Sequence, residues 1–317
     1  MKNFWKDLPT PFSTLAPMED VTDIVFRQMI KEVSSPDVFF TEFVNCEGLM
    51  SEGRKALIHR LKNSPSQRYT VAQIWGLVPE NFKNTSMLIE EMGFDGVDIN
   101  MGCPQRNITK TGACSALIKT PTLAKEMIEA TKSGLKNIPV SVKTRIGFNK
   151  IGTEEWIGFL LKQNLAALTI HLRTTREQSK VPAHWEEMPK IIELRNKISP
   201  DTVIIGNGDI RNYDDIVDKS KKYNMDGGMI GRGVFTDLNA FSKTPKKDLE
   251  QTDRINLCIK HIKLFENTWK ETKRYELLKK YYKIYITNFD GAKELRTKLM
   301  EIKGFEEALN ILFSSNN

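Results

Sequence analysis

Long hydrophobic runs are missing from this 317-residue sequence. No stretch approaches the roughly 18 uninterrupted apolar residues that a membrane-spanning helix requires, so we expect no membrane segment. The first residues, MKNFWKD, also lack the apolar core of a secretion signal. Hydrophobic residues make up 40% of the chain and charged residues 27%, which is ordinary for a globular protein with a full core. We therefore expect a cytoplasmic protein.

Cysteine and histidine are scarce, with four of each. The cysteines, Cys46, Cys103, Cys114 and Cys258, form no C-x-x-C pair, and no histidine stands at a metal-ligand spacing from them. This pattern argues against a zinc site or an iron–sulfur cluster and favours free thiols in a reducing compartment. A G-x-G-x-x-G motif opening a first βαβ unit is also absent, so a dinucleotide bound in the Rossmann manner is not supported.

Positive charge is unevenly distributed along the chain. The formal net charge is +7. Residues 243–317 contain 16 Lys and Arg against 11 Asp and Glu, a net charge of +5, which leaves +2 for the preceding residues. The basic excess therefore belongs mainly to the C-terminal tail.

Short apolar segments alternate with longer amphipathic ones along most of the chain. Eight of the short segments read as buried strands, namely residues 14–18, 37–44, 69–76, 96–103, 139–147, 167–173, 202–210 and 226–233. Apolar residues at helical spacing lie between them, and Pro79 and Pro121 mark helix starts. An open doubly wound sheet and a closed (β/α)8 barrel both fit this order, and the count of eight favours the barrel.

Strand signals end after Gly233, and residues 249–313 read as consecutive helices rich in Lys and Tyr. We therefore predict a TIM barrel over residues 1–240 and a small all-helical domain over residues 241–317, with the boundary near residues 234–245. Functional residues of such barrels lie at the C-terminal ends of the strands. Nearly every predicted strand ends in polar residues, so we expect the site at that face.

Glycine-rich segments, IIGNGDI and GGMIGRG, end the last two predicted strands. Glycines let backbone N–H groups approach an anion closely, and Arg232 adds a cation. Loops after strands seven and eight are the usual phosphate site of these barrels, so we expect a phosphorylated ligand. A mononucleotide such as FMN fits better than a dinucleotide. Lys143 either stabilises the reduced flavin or forms an ion pair inside the barrel mouth.

Cys103 follows a strand-like segment in the sequence VDINMGCPQR. Gly102 and Pro104 break the strand alternation, so we expect a turn that lifts the thiol to the rim of the barrel. With an unperturbed pKa of about 8.5, the thiol would be protonated at neutral pH and able to donate a proton. The alternative is a small buried apolar side chain. Asn100 offers an amide to a substrate, whereas Cys114 is predicted to pack a helix.

Taken together, the motifs resemble those of the flavin-dependent tRNA-dihydrouridine synthases. The resemblance covers residues 12–235 and rests on an ordered set of segments: APMEDVTD, FTEFV, VDINMGCP, GACSALI, PVSVKTRIG, IHLRTTREQ, IIGNGDI and GGMIGRG. It implies reduction of the C5–C6 double bond of a uridine in the D-loop of tRNA, with FMN as cofactor and NADPH as the source of electrons.

The resemblance also implies roles for individual residues. Cys103 would protonate C5 of the uracil, and Asn100, Arg145 and Arg173 would contact the substrate. The implied FMN-binding residues are Pro17, Met18, Glu19, Gln73, Lys143, His171, Asn207, Gly208, Asp209, Gly231 and Arg232.

RNA as a substrate would explain the basic tail. A uridine inside folded tRNA must be flipped out, at a cost of a few kcal/mol, and phosphate contacts offset part of that cost. Residues 270–283, KETKRYELLKKYYK, contain six cations, two acids and three tyrosines, a mixture suited to phosphate contact with some stacking on bases. The alternative is a solvated amphipathic helix. We predict a monomer that binds tRNA, without a stable protein partner.

Two other functions stay open on the sequence alone. A flavin-binding barrel that acts on a free pyrimidine or another small molecule would also use the phosphate site and the proton donor. A non-catalytic RNA-binding scaffold would explain the basic tail.

Overall fold

The computed structural model of the protein describes residues 3–67, 69–244 and 249–315. Within these ranges, nine strands form one sheet: β1 Phe12–Leu15, β2 Phe39–Phe40, β3 Val44–Asn45, β4 Thr70–Trp75, β5 Gly96–Met101, β6 Val140–Arg145, β7 Ala167–His171, β8 Val203–Asn207 and β9 Gly227–Ile230. Paired strands are parallel, in the order β1-β9-β8-β7-β6-β5-β4-β2, and β3 also pairs with β4. A bridge from Thr14 to Val38, next to β2, closes the ring. The predicted (β/α)8 barrel is confirmed.

The second predicted strand, residues 37–44, is divided in the structure into β2 and β3. Between them, the Thr41 hydroxyl accepts a hydrogen bond from the backbone N–H of Gln73 at 3.1 Å and donates to the Glu42 carbonyl at 2.7 Å. A side chain thus replaces a backbone group in the pairing with β4, and the regular strand is interrupted there.

Aromatic residues close the N-terminal end of the barrel. Phe4 and Trp5, in the 3₁₀ helix Phe4–Asp7, are buried in one cluster with Phe12 at the start of β1. The Phe4 ring stacks on the ring of Tyr69, just before β4, with centroids 4.7 Å apart. Because apolar side chains fill this end, the opposite end, where the strands finish, is left for a ligand.

Helices cover the outside of the barrel, and the longer ones bury apolar side chains in one cluster with residues of the strands. The longer ones are Ile24–Ser34, Pro79–Glu91, Pro121–Ser133, Met188–Ile198 and Tyr213–Tyr223, together with the π-helical turn Thr153–Ile157 and its continuation Gly158–Leu161. Shorter helical segments are Cys46–Leu49, Arg54–Leu57, Ile58–Leu61, Arg106–Thr109, Cys114–Lys119, Trp185–Glu187 and Arg232–Phe235. Pro79 and Pro121 are the first residues of their helices, as predicted.

The predicted helical tail shares one hydrophobic core with the barrel. Its helices are Gln251–Trp269, Tyr275–Tyr281, Tyr282–Tyr285, Ala292–Glu301 and Phe305–Ser314. The first of them packs against the barrel helix Ile24–Ser34, and buried side chains of both belong to one cluster. Pro245, in the predicted boundary region, lies outside the described residues. In the described ranges, no helix is both long enough and apolar enough to cross a membrane.

A buried group of charges joins the tail to the barrel. Lys273 donates to Asp23 at 3.0 Å and to Glu42 at 3.3 Å, and all three side chains are at most 5% exposed. Asp23 also accepts a hydrogen bond from the Phe26 N–H at 3.0 Å and thereby caps the helix Ile24–Ser34. The tail is thus tied to the segments that follow β1 and β2.

The tyrosines of residues 270–283 are packed in the core. Tyr275, Tyr281 and Tyr282 are all buried, and the Tyr281 hydroxyl donates to the Val21 carbonyl at 2.9 Å. The prediction that this segment stacks its tyrosines on RNA bases is therefore wrong. Its exposed side chains include four cations, Lys270, Arg274, Lys280 and Lys283, and they also include Glu271, Thr272 and Glu276.

Candidate active site

A cavity of 540 Å³ opens where β1, β6, β7, β8 and β9 end. It brings together nine of the eleven predicted FMN-binding residues, namely Pro17, Met18, Lys143, His171, Asn207, Gly208, Asp209, Gly231 and Arg232, as well as Arg173. Glu19 and Gln73 do not line it. Sequence reasoning missed Ser179, Arg211 and Thr236, which also line the cavity. These three lie in loops beyond the strand ends on which the prediction rested.

The backbone at the end of β8 allows a ligand in the cavity to approach it closely. Gly208 has φ +126°, and a Cβ at this position would lie 2.8 Å from the Cβ of Ala183. A side chain cannot be placed there, so the backbone stays bare toward the cavity. Arg232 follows β9 with a side chain that is 69% exposed, 3.7 Å from the Asp209 carboxylate. Bare backbone and an exposed guanidinium are groups that can bind a phosphate.

Lys143 is a partly buried cation, and no carboxylate of the described residues lies at ion-pair distance from its Nζ, although the more distant Asp98 favours its charged form. Its Nζ donates to Asn207 Oδ1 at 3.1 Å, and Asn207 Nδ2 donates to the Met229 carbonyl at 2.9 Å. Burial and the nearby Arg145 lower the pKa of Lys143 to about 8. The structure therefore does not show the ion pair that was one of the two alternatives for Lys143 on the sequence alone. A cavity lined by a partly buried cation that forms no ion pair within the described residues fits an anionic ligand.

Arg173 connects two other residues of this cavity. Its guanidinium donates to His171 Nε2 at 3.0 Å and to Asp209 Oδ2 at 2.5 Å. Because a guanidinium only donates, His171 Nε2 is the acceptor and the ring proton is on Nδ1. Burial, together with the cations Arg145 and Lys143, holds the pKa of His171 well below its ordinary value. The ring is neutral and offers one donor to a ligand.

A buried chain of hydrogen bonds fixes the turn that carries Cys103. Asn100 Oδ1 accepts from the backbone N–H groups of Gly102 and Cys103, both at 3.0 Å. Asn100 Nδ2 donates to Gln73 Oε1 at 3.0 Å, and Gln73 Nε2 donates to Asp98 Oδ2 at 2.7 Å. The Gln73 amide is committed to this chain, away from the cavity. Asn100 therefore positions the thiol-bearing turn, in addition to any contact with a substrate.

Cys103 is half-buried on this turn, beside the buried thiol of Cys114. A hydrogen bond from the Cys114 thiol is the main cause that lowers the pKa of Cys103 to about 7, with the Gln105 N–H and Arg145 contributing. The expectation of an unperturbed thiol is therefore wrong. Cys114, predicted only to pack a helix, contacts the Cys103 sulfur and takes a left-handed backbone conformation with φ +55°.

Arg145 is buried and binds three backbone carbonyls. Its Nε donates to the Gly102 carbonyl at 2.7 Å, and its Nη1 donates to those of Thr174 and Gln178 at 3.1 and 2.9 Å. These bonds join the Cys103 turn to the loop after β7. The predicted contact of Arg145 with a substrate stays a prediction.

Glu19 lines a different cavity, of 270 Å³, formed by the ends of β3 and β4 and by the segments that follow β1, β2, β3 and β5. Its Oε1 pairs with Arg60. Burial raises the pKa of Glu19, although this ion pair opposes the shift. The predicted role of Glu19 in FMN binding is therefore not supported by where the side chain lies.

A closed parallel barrel with an anion-accepting cavity at its strand ends and a low-pKa thiol on a fixed turn defines a TIM-barrel enzyme. The family model described as "Dihydrouridine synthase (Dus)" matches residues 14–316. The chain belongs to the dihydrouridine synthase family.

Curated relatives extend over nearly the whole chain. "Probable tRNA-dihydrouridine synthase 2" of Bacillus subtilis (strain 168) is 45% identical over 314 residues, which are 98% of this chain and 96% of the relative. "Probable tRNA-dihydrouridine synthase" of Staphylococcus aureus (strain COL) is also 45% identical, over 98% of this chain and 95% of its own.

Solved structures of low sequence identity share the barrel fold. Morphinone reductase in complex with tetrahydroNAD has a TM-score of 0.51 and 13% identity, and the match covers 75% of this chain and 87% of the reductase. A complex of 2-naphthoyl-CoA reductase has a TM-score of 0.57 and 9% identity, over 73% of this chain and 49% of the other.

Proposed function

We propose that this protein reduces the C5–C6 double bond of a uridine in tRNA to 5,6-dihydrouridine, with FMN as cofactor, NADPH as the source of electrons and Cys103 as the proton donor. The family and the names of its curated relatives support the reaction and the substrate. On this chain, one arrangement carries the proposal. Asn100 on β5 holds the Cys103 turn, and Lys143, its partner in register on β6, lines the anion-accepting cavity.

The cavity has the donor set that FMN requires. The bare backbone at Gly208 and the guanidinium of Arg232 would hold the phosphate, and Lys143 would balance negative charge on the flavin ring. His171 would add one neutral donor through Nδ1. Bound FMN would supply the hydride for C6 of the uracil.

Cys103 would supply the proton for C5. A thiol with a pKa of about 7 is partly protonated at neutral pH and gives up its proton more readily than an ordinary cysteine. After proton transfer, the Cys114 thiol would stabilise the Cys103 thiolate by donating a hydrogen bond to it. The bonds from Asn100 and Arg145 would keep the turn in place during this step.

The proposal is tested by assaying dihydrouridine directly. The purified protein, loaded with FMN and supplied with NADPH, is given unmodified tRNA or free uridine, and dihydrouridine is measured by mass spectrometry. We expect product from tRNA alone, and we expect cells that lack the gene to lose one dihydrouridine that a plasmid copy restores. Product from free uridine at a comparable rate would favour the small-molecule alternative.

A basic groove in the tail is the proposed contact for tRNA phosphates. The groove, of 360 Å³, is lined by Lys279, Lys283, Lys293 and Arg296, among others. Lys279 donates to the Met300 carbonyl at 2.7 Å and Arg296 donates to the Ile286 carbonyl, whereas Lys283 and Lys293 are exposed. Within the part of the chain that the structure describes, these two lysines are therefore the cations of the groove without a hydrogen-bonding partner. Because tRNA is the proposed substrate, we also place the protein in the cytoplasm.

Replacing Lys283 with alanine is expected to lower the slope of log affinity against log salt concentration for tRNA by about 1, because one phosphate contact is lost. Fluorescence anisotropy at several salt concentrations measures the slope. Lys6→Ala is the matched control, since this exposed lysine lies at the closed end of the barrel and should not affect the slope. An unchanged slope in a variant that lacks both Lys283 and Lys293 would contradict the assignment of the groove.

A further inference from the structure

The cavity that contains Glu19 shares a wall with the Cys103 turn. Phe43 and Ile108 line it and belong to the same apolar cluster as Cys114, against which Trp75 and Cys103 also pack. At 270 Å³, it has half the volume of the cavity proposed for FMN. A group bound here would therefore lie beside the reacting thiol but outside the cofactor site.

The polar groups of this second cavity have unused hydrogen-bonding capacity. Gln105 and Asn107 are exposed, and neither side-chain amide has a partner within the described ranges. Arg60 and Glu19 pair through Nη1 and Oε1, yet the buried Arg60 Nε and the buried Glu19 Oε2 have no partner there. A buried donor and a buried acceptor left open cost stability unless a ligand satisfies them.

The walls are suited to a flat ring. Phe43 and Trp75 offer aromatic surface, and Leu57 and Ile108 add apolar contacts. Aromatic side chains that accept a ring by stacking, together with amides that reach the ring edge, are how proteins hold unstacked RNA bases. A phosphate would find only one guanidinium here, already paired with a carboxylate. The chemistry therefore favours an uncharged heterocycle over an anion.

We propose that this cavity binds the base of the nucleotide next to the target uridine, on its 5′ or 3′ side. This inference rests on the proposed function, since the target uracil must lie at Cys103. The neighbouring base would stack on the aromatic wall, with Gln105 and Asn107 at its edge. A uridine flipped out of the tRNA draws its neighbours toward the barrel mouth, and a second bound base would offset part of the cost of unstacking.

The test combines abasic tRNA with variants of the cavity. Two tRNAs are made in which the nucleotide on the 5′ or the 3′ side of the target uridine keeps its ribose and phosphate but lacks its base. Dissociation constants are measured for the FMN-loaded wild type, for the double variant Gln105→Ala, Asn107→Ala, and for Asn137→Ala. The last is the matched control, because Asn137 is an exposed amide just before β6, at the closed end of the barrel.

We expect the wild type and Asn137→Ala to bind one of the two abasic tRNAs about tenfold more weakly than intact tRNA. In the double variant, removing the same base should weaken binding by at least about threefold less than it does in the wild type. The variant already lacks the two amides that the base would contact, so it has less to lose. Equal losses in all three proteins, with dihydrouridine still formed on intact tRNA, would overturn the inference and leave the proposed function standing. Failure of the wild type to form dihydrouridine on intact tRNA would instead overturn the proposed function, and this inference with it.

Discussion

Replacing Cys103 with alanine is expected to lower the rate of uridine reduction in tRNA by about 10²–10⁴-fold, the range that a positioned general acid contributes. Alanine cannot deliver a proton to C5, and the turn is otherwise held by backbone bonds to Asn100 that alanine preserves. FMN binding and reduction by NADPH should persist, because Cys103 does not line the larger cavity. Single-turnover assays with the pre-reduced protein measure the chemical step alone.

Cys258→Ala is the matched control for loss of a thiol. Cys258 is buried in the tail helix Gln251–Trp269, so its removal should leave the rate of the chemical step unchanged. Full turnover in Cys103→Ala would remove this residue as the proton donor. Loss of FMN reduction together with turnover would indicate that the substitution had disturbed the cofactor site.

The pH dependence of the same thiol follows from its hydrogen bond. With a pKa of about 7, the Cys103 thiolate should form around that pH, so the rate of alkylation by iodoacetamide should be half-maximal there. Turnover should fall as pH rises through the same value, because the protonated thiol that donates to C5 is lost. Cys114→Ala removes a donor to the thiolate, which disfavours the charged form, so both midpoints should move to higher pH. A midpoint that stays in place would mean that Cys114 does not set the acidity of Cys103.

The barrel could be predicted from sequence because its signals are local. Strands buried on both faces, such as Val203–Asn207, appear in the sequence as nearly continuous apolar runs. The helices between them show apolar residues three or four positions apart. The division of residues 37–44 into two strands has no local signal. It depends on the Thr41 hydroxyl, which pairs with the N–H of a residue on the neighbouring strand.

The candidate site could be predicted where a strand end alone determines the position, as for His171 and Asn207. The directions of Glu19 and Gln73 were not predictable, because they depend on Arg60 and Asp98, which are distant in sequence. The contact between Cys103 and Cys114 was also not predictable. Two cysteines separated by a turn and a short helix carry no signal for shared hydrogen bonding.

Composition predicted a helical basic tail but not which of its side chains face the barrel. An amphipathic helix shows its apolar face in sequence, while a buried lysine such as Lys273 is identified only by the carboxylates that meet it. This burial also affects how the tail can be tested. Deleting the tail would leave Asp23 and Glu42 without their cation, so lost activity would not by itself distinguish a tRNA substrate from a small molecule.

Replacing Lys273 with methionine is expected to destabilise the folded protein by about 3–5 kcal/mol, the usual cost of breaking a buried ion pair from one side. Methionine fills similar space but leaves two carboxylates, Asp23 and Glu42, buried without their cation. Urea unfolding followed by circular dichroism measures the change in the free energy of unfolding. Lys270→Met is the matched control, since this lysine is exposed a few residues earlier and should change stability little.

The decrease in the free energy of unfolding caused by Lys273→Met should also depend on pH. The burial of the Glu42 carboxylate determines the direction of this dependence. Burial already raises the pKa of Glu42, and removing the lysine that opposes this shift should raise it further. The folded variant would then bind protons more tightly than its unfolded chain, so its stability relative to the wild type should recover as pH falls. Equal stability of Lys273→Met and Lys270→Met at neutral pH would show that the buried charges do not hold the tail to the barrel. A loss that grew on acidification would contradict the role assigned to the Glu42 carboxylate.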